Sequence, residues 1–93
     1  MNNEIIAAAK NLCDAIAEMP TGYMSMSLSY STAAVNYSIK NGMLIALNHR
    51  CRNLIEEISH YPDYRTEEVI AAAEELQQYL PPLTNAVMAP RPQ

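Results

Sequence analysis

The 93-residue sequence contains neither phenylalanine nor tryptophan, and only two glycines and two cysteines. All six aromatic residues are tyrosines, whose amphipathic rings are common at interfaces and on base-stacking surfaces. No nucleotide-binding motif, Ser-His-Asp arrangement or pair of spaced carboxylates is recognisable. Because nucleophile, base and oxyanion groups do not converge, we expect a protein that is not an enzyme and needs no cofactor.

The two cysteines, Cys13 and Cys51, stand alone rather than in a Cys-x-x-Cys or Cys/His cluster. Each falls on the apolar side of a predicted helix, where a free cysteine packs as a small hydrophobic residue. We therefore expect two buried, reduced thiols rather than a metal or redox site.

Basic residues are scarce: six Lys and Arg stand against ten Asp and Glu, which gives a net charge of −4. Nucleic acid favours a basic surface, so this balance argues against it as a partner. No apolar run reaches the roughly 18 residues that span a bilayer, and the first four residues lack the basic character of a signal peptide. The sequence predicts one cytoplasmic domain over 1–93 without a membrane partner, with a Pro-rich, frayed tail from about residue 83.

An alternating pattern occupies the middle of the chain. Apolar residues alternate with small polar ones over 23–30 and again over 33–40, and a period of two gives a strand one apolar face. Asn41 and Gly42 then precede the apolar run 43–47. Asn-Gly favours a type I′ hairpin because both positions need positive φ. The pattern predicts a three-stranded antiparallel meander.

Three helices are predicted around this meander. They span residues 3–19, 48–59 with Asn48 as N-cap, and 66–80 with Thr66 as N-cap. The predicted elements follow the order of one helix, three strands and two helices. This order predicts an α+β fold in which the helices pack on one face of the sheet. An all-α alternative continues one helix through 32–48, at a cost of about 1 kcal/mol for Gly42 inside it.

The hairpin register assigns side chains to the two faces of the predicted sheet. The inner face, which includes Met26, Tyr30 and Tyr37, would form the core. The outer face, expected to bind a partner, carries Ser25, Ser27, Ser29, Asn36, Ser38, Met43, Ile45 and Leu47. Exposed apolar patches usually mark interaction sites, so the last three predict contact with another protein or a homodimer. Alternatively, the tail from residue 83 to 88 covers them.

Polar and aromatic groups are densest in the connection from His60 to Arg65, which contains an imidazole, two phenols, a carboxylate and a guanidinium. These groups could engage a partner, and His60, Tyr61, Tyr64 and Arg65 are candidate contact residues. An ordinary polar connection between two helices would have the same composition.

A basic cluster near the start of the second predicted helix suggests a different function. Lys40, His49, Arg50 and Arg52 would lie together at the hairpin end. A helix, three strands and a helix with basic residues at this point resembles the double-stranded-RNA-binding domain in outline. The resemblance implies a small nucleic-acid or nucleotide-binding domain. The family's Lys-Lys-x-x-Lys run and Gly-Pro-x-His loop are absent here.

In length, acidic composition and predicted element order, residues 3–80 also resemble small phage-encoded inhibitors of the anti-CRISPR kind. The resemblance rests on topology and composition and carries no shared motif. Together with the outer face of the predicted sheet, it implies a non-enzymatic protein-binding module from a phage or mobile element. Such a module would inhibit a host protein by steric occlusion, and this is the leading functional prediction.

Overall fold

Four helices form the part of the chain that the computed structural model describes, residues 2–81. They are α1 (Asn2–Ala17), α2 (Met26–Lys40), α3 (Leu44–His60) and α4 (Glu67–Tyr79). Short 3-10 turns, Thr21–Tyr23 and Pro62–Tyr64, precede α2 and α4. Each helix packs against the next along the chain, and α1 packs against α4, which makes a small four-helix bundle.

The predicted α+β fold with its three-stranded meander is therefore wrong. Residues 26–40, which cover most of two predicted strands, form α2, and residues 44–47 of the third begin α3. Residues 2–81 contain no strand. The all-α alternative has the correct class, but two helices replace the single helix that it placed over 32–48.

Hydroxyl side chains explain how α2 accommodates the alternating pattern. Leu28 and Val35, seven residues apart, are fully buried on one side of the helix, so a helical period coexists with the period of two. Ser25 Oγ caps the helix by accepting a hydrogen bond from the Leu28 amide at 3.0 Å. Thr32 Oγ1 and Ser38 Oγ donate to carbonyls four residues earlier, at 2.7 and 3.0 Å. The helix itself thus satisfies several of these hydroxyls.

Asn41 and Gly42 end α2 instead of joining two strands. Gly42 has φ +65°, so the predicted positive φ is confirmed although the type I′ hairpin is not formed. The Met43 amide donates to Ser38 O at 2.9 Å and the Gly42 amide donates to Ile39 O at 3.2 Å, which is the Schellman pattern of a helix C-terminus. An Asn-Gly pair suits either motif, because both need a glycine in the left-handed region.

We expect Gly42→Ala to lower the free energy of unfolding by about 1–2 kcal/mol, because an L-residue is strained at this φ. Apart from Gly42 and its two chain neighbours, no described atom lies within 4 Å of the added Cβ, so the loss would reflect the backbone alone. Gly22→Ala is the matched control, since its Cβ also meets open space and its φ is not in the left-handed region. Urea unfolding that gives the two variants equal stability would contradict the capping role of Gly42.

The last helix agrees with its sequence signals. Thr66 Oγ1 accepts a hydrogen bond from the Val69 amide at 3.2 Å, so the predicted N-cap is confirmed. Asn48, by contrast, is not an N-cap. α3 begins at Leu44, and the preceding Met43 makes no side-chain cap bond.

The core takes apolar side chains from all four helices. Its fully buried members include Leu12, Ile16, Leu28, Leu47, Leu54, Val69 and Leu76. Cys13 and Cys51 are free and buried among them, as predicted. Burial raises the pKa of Cys13 to about 11 and that of Cys51 to about 12.

These thiols should make the protein less stable in alkaline solution. Their folded-state pKa values lie above those of the unfolded chain, so the unfolded chain releases protons first as the pH rises. The contribution of the two protonated thiols to the free energy of unfolding is fully present below about pH 9. Above that pH it decreases, by at most about 1.4 kcal/mol per pH unit for each thiol. The free energy of unfolding should therefore fall less steeply above pH 9 for Cys13→Ala than for the wild type. Parallel pH profiles would contradict this expectation.

Candidate protein-interaction surface

The outward face of α2 is apolar although it lies opposite the core. Met26, Tyr30 and Tyr37 have exposed fractions of 84%, 78% and 58%. With the exposed Ala33 they recur at spacings of four, three and four residues, which sets them in a row along one side of a helix. These four residues are called the α2 stripe. Apolar side chains thus occupy two opposite sides of α2.

The predicted place of Met26, Tyr30 and Tyr37, on the inner face of a sheet, is wrong. In the predicted strands, these three side chains would share a face with Leu28 and Val35, because within each strand residues an even number of positions apart point the same way. In a helix the chain turns by about 100° per residue, which places them on the side opposite Leu28 and Val35. The signal that could have identified the stripe is the spacing of four, three and four, which overlaps the period-two pattern.

The turn between α2 and α3 adds a second apolar surface. Ile45 is 88% exposed, and Met43 and Leu44 are 38% and 36% exposed. These three residues are called the turn patch. They line an open cleft that is bordered by Asn48, His49 and Arg52.

Leu47, which was expected to share a surface with Met43 and Ile45, is fully buried. Residues two apart lie on one face of a strand but on nearly opposite sides of a helix. The predicted apolar strip is therefore divided: Met43 and Ile45 are at the surface, and Leu47 is in the core.

The polar residues predicted for the same outer face are distributed around α2. Ser27, Ser29 and Asn36 are exposed, Ser25 is the N-cap and Ser38 is buried. They do not form one flat polar surface, because a helical period replaces the strand period.

Acidic residues are absent from a long central segment. All ten lie within 4–18 or 56–75, and none lies between residues 19 and 55. The α2 stripe and the turn patch therefore contain no carboxylate. By contrast, four carboxylates line the groove between α1 and α4, those of Asp14, Glu18, Glu68 and Glu75. Carboxylates do lie beside the stripe, because Tyr30 shares a groove with Glu56 and Glu57. The molecule thus has an apolar surface that is itself free of carboxylates and a separate acidic groove.

The four basic residues predicted to bind nucleic acid do not form one basic surface. Arg50 Nη1 donates to Ser38 Oγ at 2.9 Å, and its side chain lines a groove that also contains Glu56 and Glu57. Arg52 lies about 200° further around α3 and donates to the carbonyl of Pro81. The other two, Lys40 and His49, are exposed. Carboxylates beside Arg50 reduce the positive potential that phosphates require.

The connection from His60 to Arg65 contains both surface and buried groups. His60 and Tyr61 are exposed, with their rings edge-to-face and their centroids 6.3 Å apart. His60 Nδ1 lies 3.8 Å from Glu57 Oε1. The side chain of Tyr64 lies outside the described part of the structure.

Arg65 differs from its neighbours because it is only 9% exposed. Its Nε donates to Ile58 O at 3.3 Å and its Nη1 donates to Tyr23 O at 3.5 Å. A cation near the last carbonyls of a helix is favourable. Arg65 therefore ties the end of α3 to the segment that precedes α2, a role that its position in the sequence does not indicate.

Comparisons with known proteins give no significant match to a family model, a curated protein or a solved structure. A helix followed by three strands, the order behind both resemblances, does not occur within residues 2–81. Topology therefore gives no support to the RNA-binding or anti-CRISPR resemblance, and each stays a prediction. The predicted covering tail, from residue 83 to 88, lies outside the described residues.

Residues 2–81 hold neither a metal-binding cluster nor a membrane-spanning helix. That region contains no group of three or more His, Cys, Asp and Glu side chains that could hold a metal ion. It also contains no helix with the length and apolar character needed to cross a membrane.

Proposed function

We propose that this protein is a non-enzymatic protein-binding module whose contact surface consists of the α2 stripe and the turn patch. The observation that supports this most is the row of Met26, Tyr30, Ala33 and Tyr37, exposed on a helix that already buries its opposite side. An apolar row with this spacing is suited to packing against another helix. Tyrosine and methionine are also enriched in protein interfaces.

The partner that fits best is another protein with an apolar surface and acidic residues at one edge. The contact surface has no carboxylate of its own. Arg52 borders the turn patch, and Lys40 lies three residues before it in the sequence, so acidic side chains of a partner would meet positive charge there. An apolar row offers little to a phosphate backbone, so these features favour protein over nucleic acid.

Steric occlusion of a host protein is the mode of action that we propose for the module. α2 has 15 residues and is therefore about 22 Å long. A partner bound along this length would have a comparable stretch of its own surface covered. Inhibition by such coverage needs no catalytic group on the module.

Site-specific photo-crosslinking in bacterial cells tests this proposal. A photoreactive amino acid at position 30, in the α2 stripe, should give a discrete crosslinked product with another protein. The same amino acid at position 78, which replaces the exposed Gln78 on α4, should not. The identified partner should then bind the purified wild type at least about tenfold more tightly than Tyr37→Glu, a difference of about 1.4 kcal/mol.

Three results would contradict the proposal. Equal crosslinking from positions 30 and 78 would show that the contact is not specific to the stripe. An affinity that Tyr37→Glu leaves unchanged would exclude the stripe from the interface. A product of two copies of this chain alone would assign the surface to a homodimer instead of a different protein.

A further inference from the structure

We infer that a cleft beside the N-terminus of α2 binds a single oxyanion group, a carboxylate or a phosphate. The cleft has a volume of about 320 Å³. It is lined by Gly22, Tyr23, Met24, Ser25, Tyr61 and Arg65. None of these lining residues belongs to the α2 stripe or the turn patch.

Arg65 brings to this cleft a positive charge that no described carboxylate pairs with. Arg65 as a whole residue is nine-tenths buried, and within the described part of the chain its guanidinium donates two hydrogen bonds, to the neutral carbonyls of Ile58 and Tyr23. Its Nη2 atom is buried without a hydrogen-bond partner, and no carboxylate among the described residues forms an ion pair with it. A buried charge in this state is costly, and the cost decreases when an anion pairs with it.

The N-terminus of α2 brings a second source of positive potential. Ser25, which lines the cleft, is the N-cap of this helix. Its side chain and its carbonyl accept from the amides of Leu28 and Ser29. The next two residues, Met26 and Ser27, are not lining residues of the cleft but directly follow Ser25, which is. Their amides have no carbonyl to bond within the helix. Such amides, at the positive end of the helix dipole, favour an anion.

The two features define the class of ligand. A guanidinium presents N–H groups in a planar fork that matches the oxygens of a carboxylate or a phosphate. The first turn of α2 contains no acidic residue, and no lining residue of the cleft is acidic. Among the described residues, therefore, nothing in the lining repels an oxyanion, and Arg65 is the only charged residue in it.

Titrations of the isotope-labelled wild-type protein with inorganic phosphate and, separately, with acetate test the inference at constant ionic strength. We expect the NMR signals of Arg65 Nε–H and of the Met26 and Ser27 amides to shift together and to saturate at about 10 mM of at least one anion, which corresponds to a Kd near 1 mM. Saturation by phosphate alone assigns a phosphate site, by acetate alone a carboxylate site, and by both a general oxyanion site. If neither anion shifts these signals more than chloride does, the inference is wrong. Arg65 then only connects the end of α3 to the segment that precedes α2.

Substitution of Tyr61 provides a test that leaves Arg65 in place. Tyr61 is exposed and lines the cleft, so Tyr61→Glu adds a carboxylate that competes with the anion. Tyr61→Gln is the matched neutral control. We expect Tyr61→Glu to weaken binding at least tenfold relative to Tyr61→Gln, and equal affinities would overturn the inference.

Discussion

Leu47→Lys should unfold the protein, whereas Ile45→Lys should leave the free energy of unfolding within about 0.5 kcal/mol of the wild-type value. Leu47 is fully buried and Ile45 is 88% exposed. A lysine at position 47 would bury a charge with no partner, at a cost of several kcal/mol. That is comparable to the whole stability of a small domain.

The same pair of substitutions distinguishes the helix from the predicted strand. In the strand register both residues lie on the outer face of a sheet, so both lysines would be tolerated or both would disrupt the same contact. Circular dichroism and urea unfolding of the two variants are sufficient measurements. Similar stability of the two variants would contradict the burial of Leu47 in a helical core.

Tyr30→Glu should weaken binding to the crosslinked partner at least about 100-fold, or about 2.7 kcal/mol. Tyr30 lies in the middle of the α2 stripe with 78% of its surface exposed. Loss of a central aromatic residue and burial of an unpaired carboxylate both destabilise an interface. The stability of the free protein should not change, because Tyr30 is not part of the core.

Gln78→Glu is the control for this experiment, because it adds the same charge at an exposed position on α4. Isothermal titration calorimetry with the purified partner should show a large loss for Tyr30→Glu and less than about a twofold change, or 0.4 kcal/mol, for Gln78→Glu. Equal losses would indicate a general charge effect and would exclude the α2 stripe as the specific contact.

The predictability of the fold differs between its parts for a physical reason. The Thr66 cap and the buried stripe with Val69 and Leu76 could be predicted, because caps and apolar spacing are properties of a short local segment. In α2, serine occupies alternate positions, while Leu28 and Val35 follow a helical period. The segment therefore carries both a strand period and a helical period. Packing against the other helices determines that it forms a helix.

The candidate surface was predictable only in part. Met43 and Ile45 were expected on an outer face that a partner covers, and in the single chain both lie at the surface. The α2 stripe could not be found once its segment was assigned to a strand, because the assignment reverses which residues face outward. The burial of Arg65 depends on Tyr23 O, an acceptor 42 residues earlier in the chain, and no local pattern indicates such a contact.

Solvent accessibility of the α2 stripe in the complex tests the proposed interface most directly. A soluble paramagnetic relaxation agent can be added to the isotope-labelled protein, free and then saturated with the crosslinked partner, while the Met26 methyl and the Tyr30 and Tyr37 rings are observed by NMR. We predict that these signals relax rapidly in the free protein and are protected in the complex, while the Gln78 side-chain amide relaxes equally in both states. Protection of Gln78 with Met26, Tyr30 and Tyr37 still accessible would contradict the assignment of the contact surface to α2.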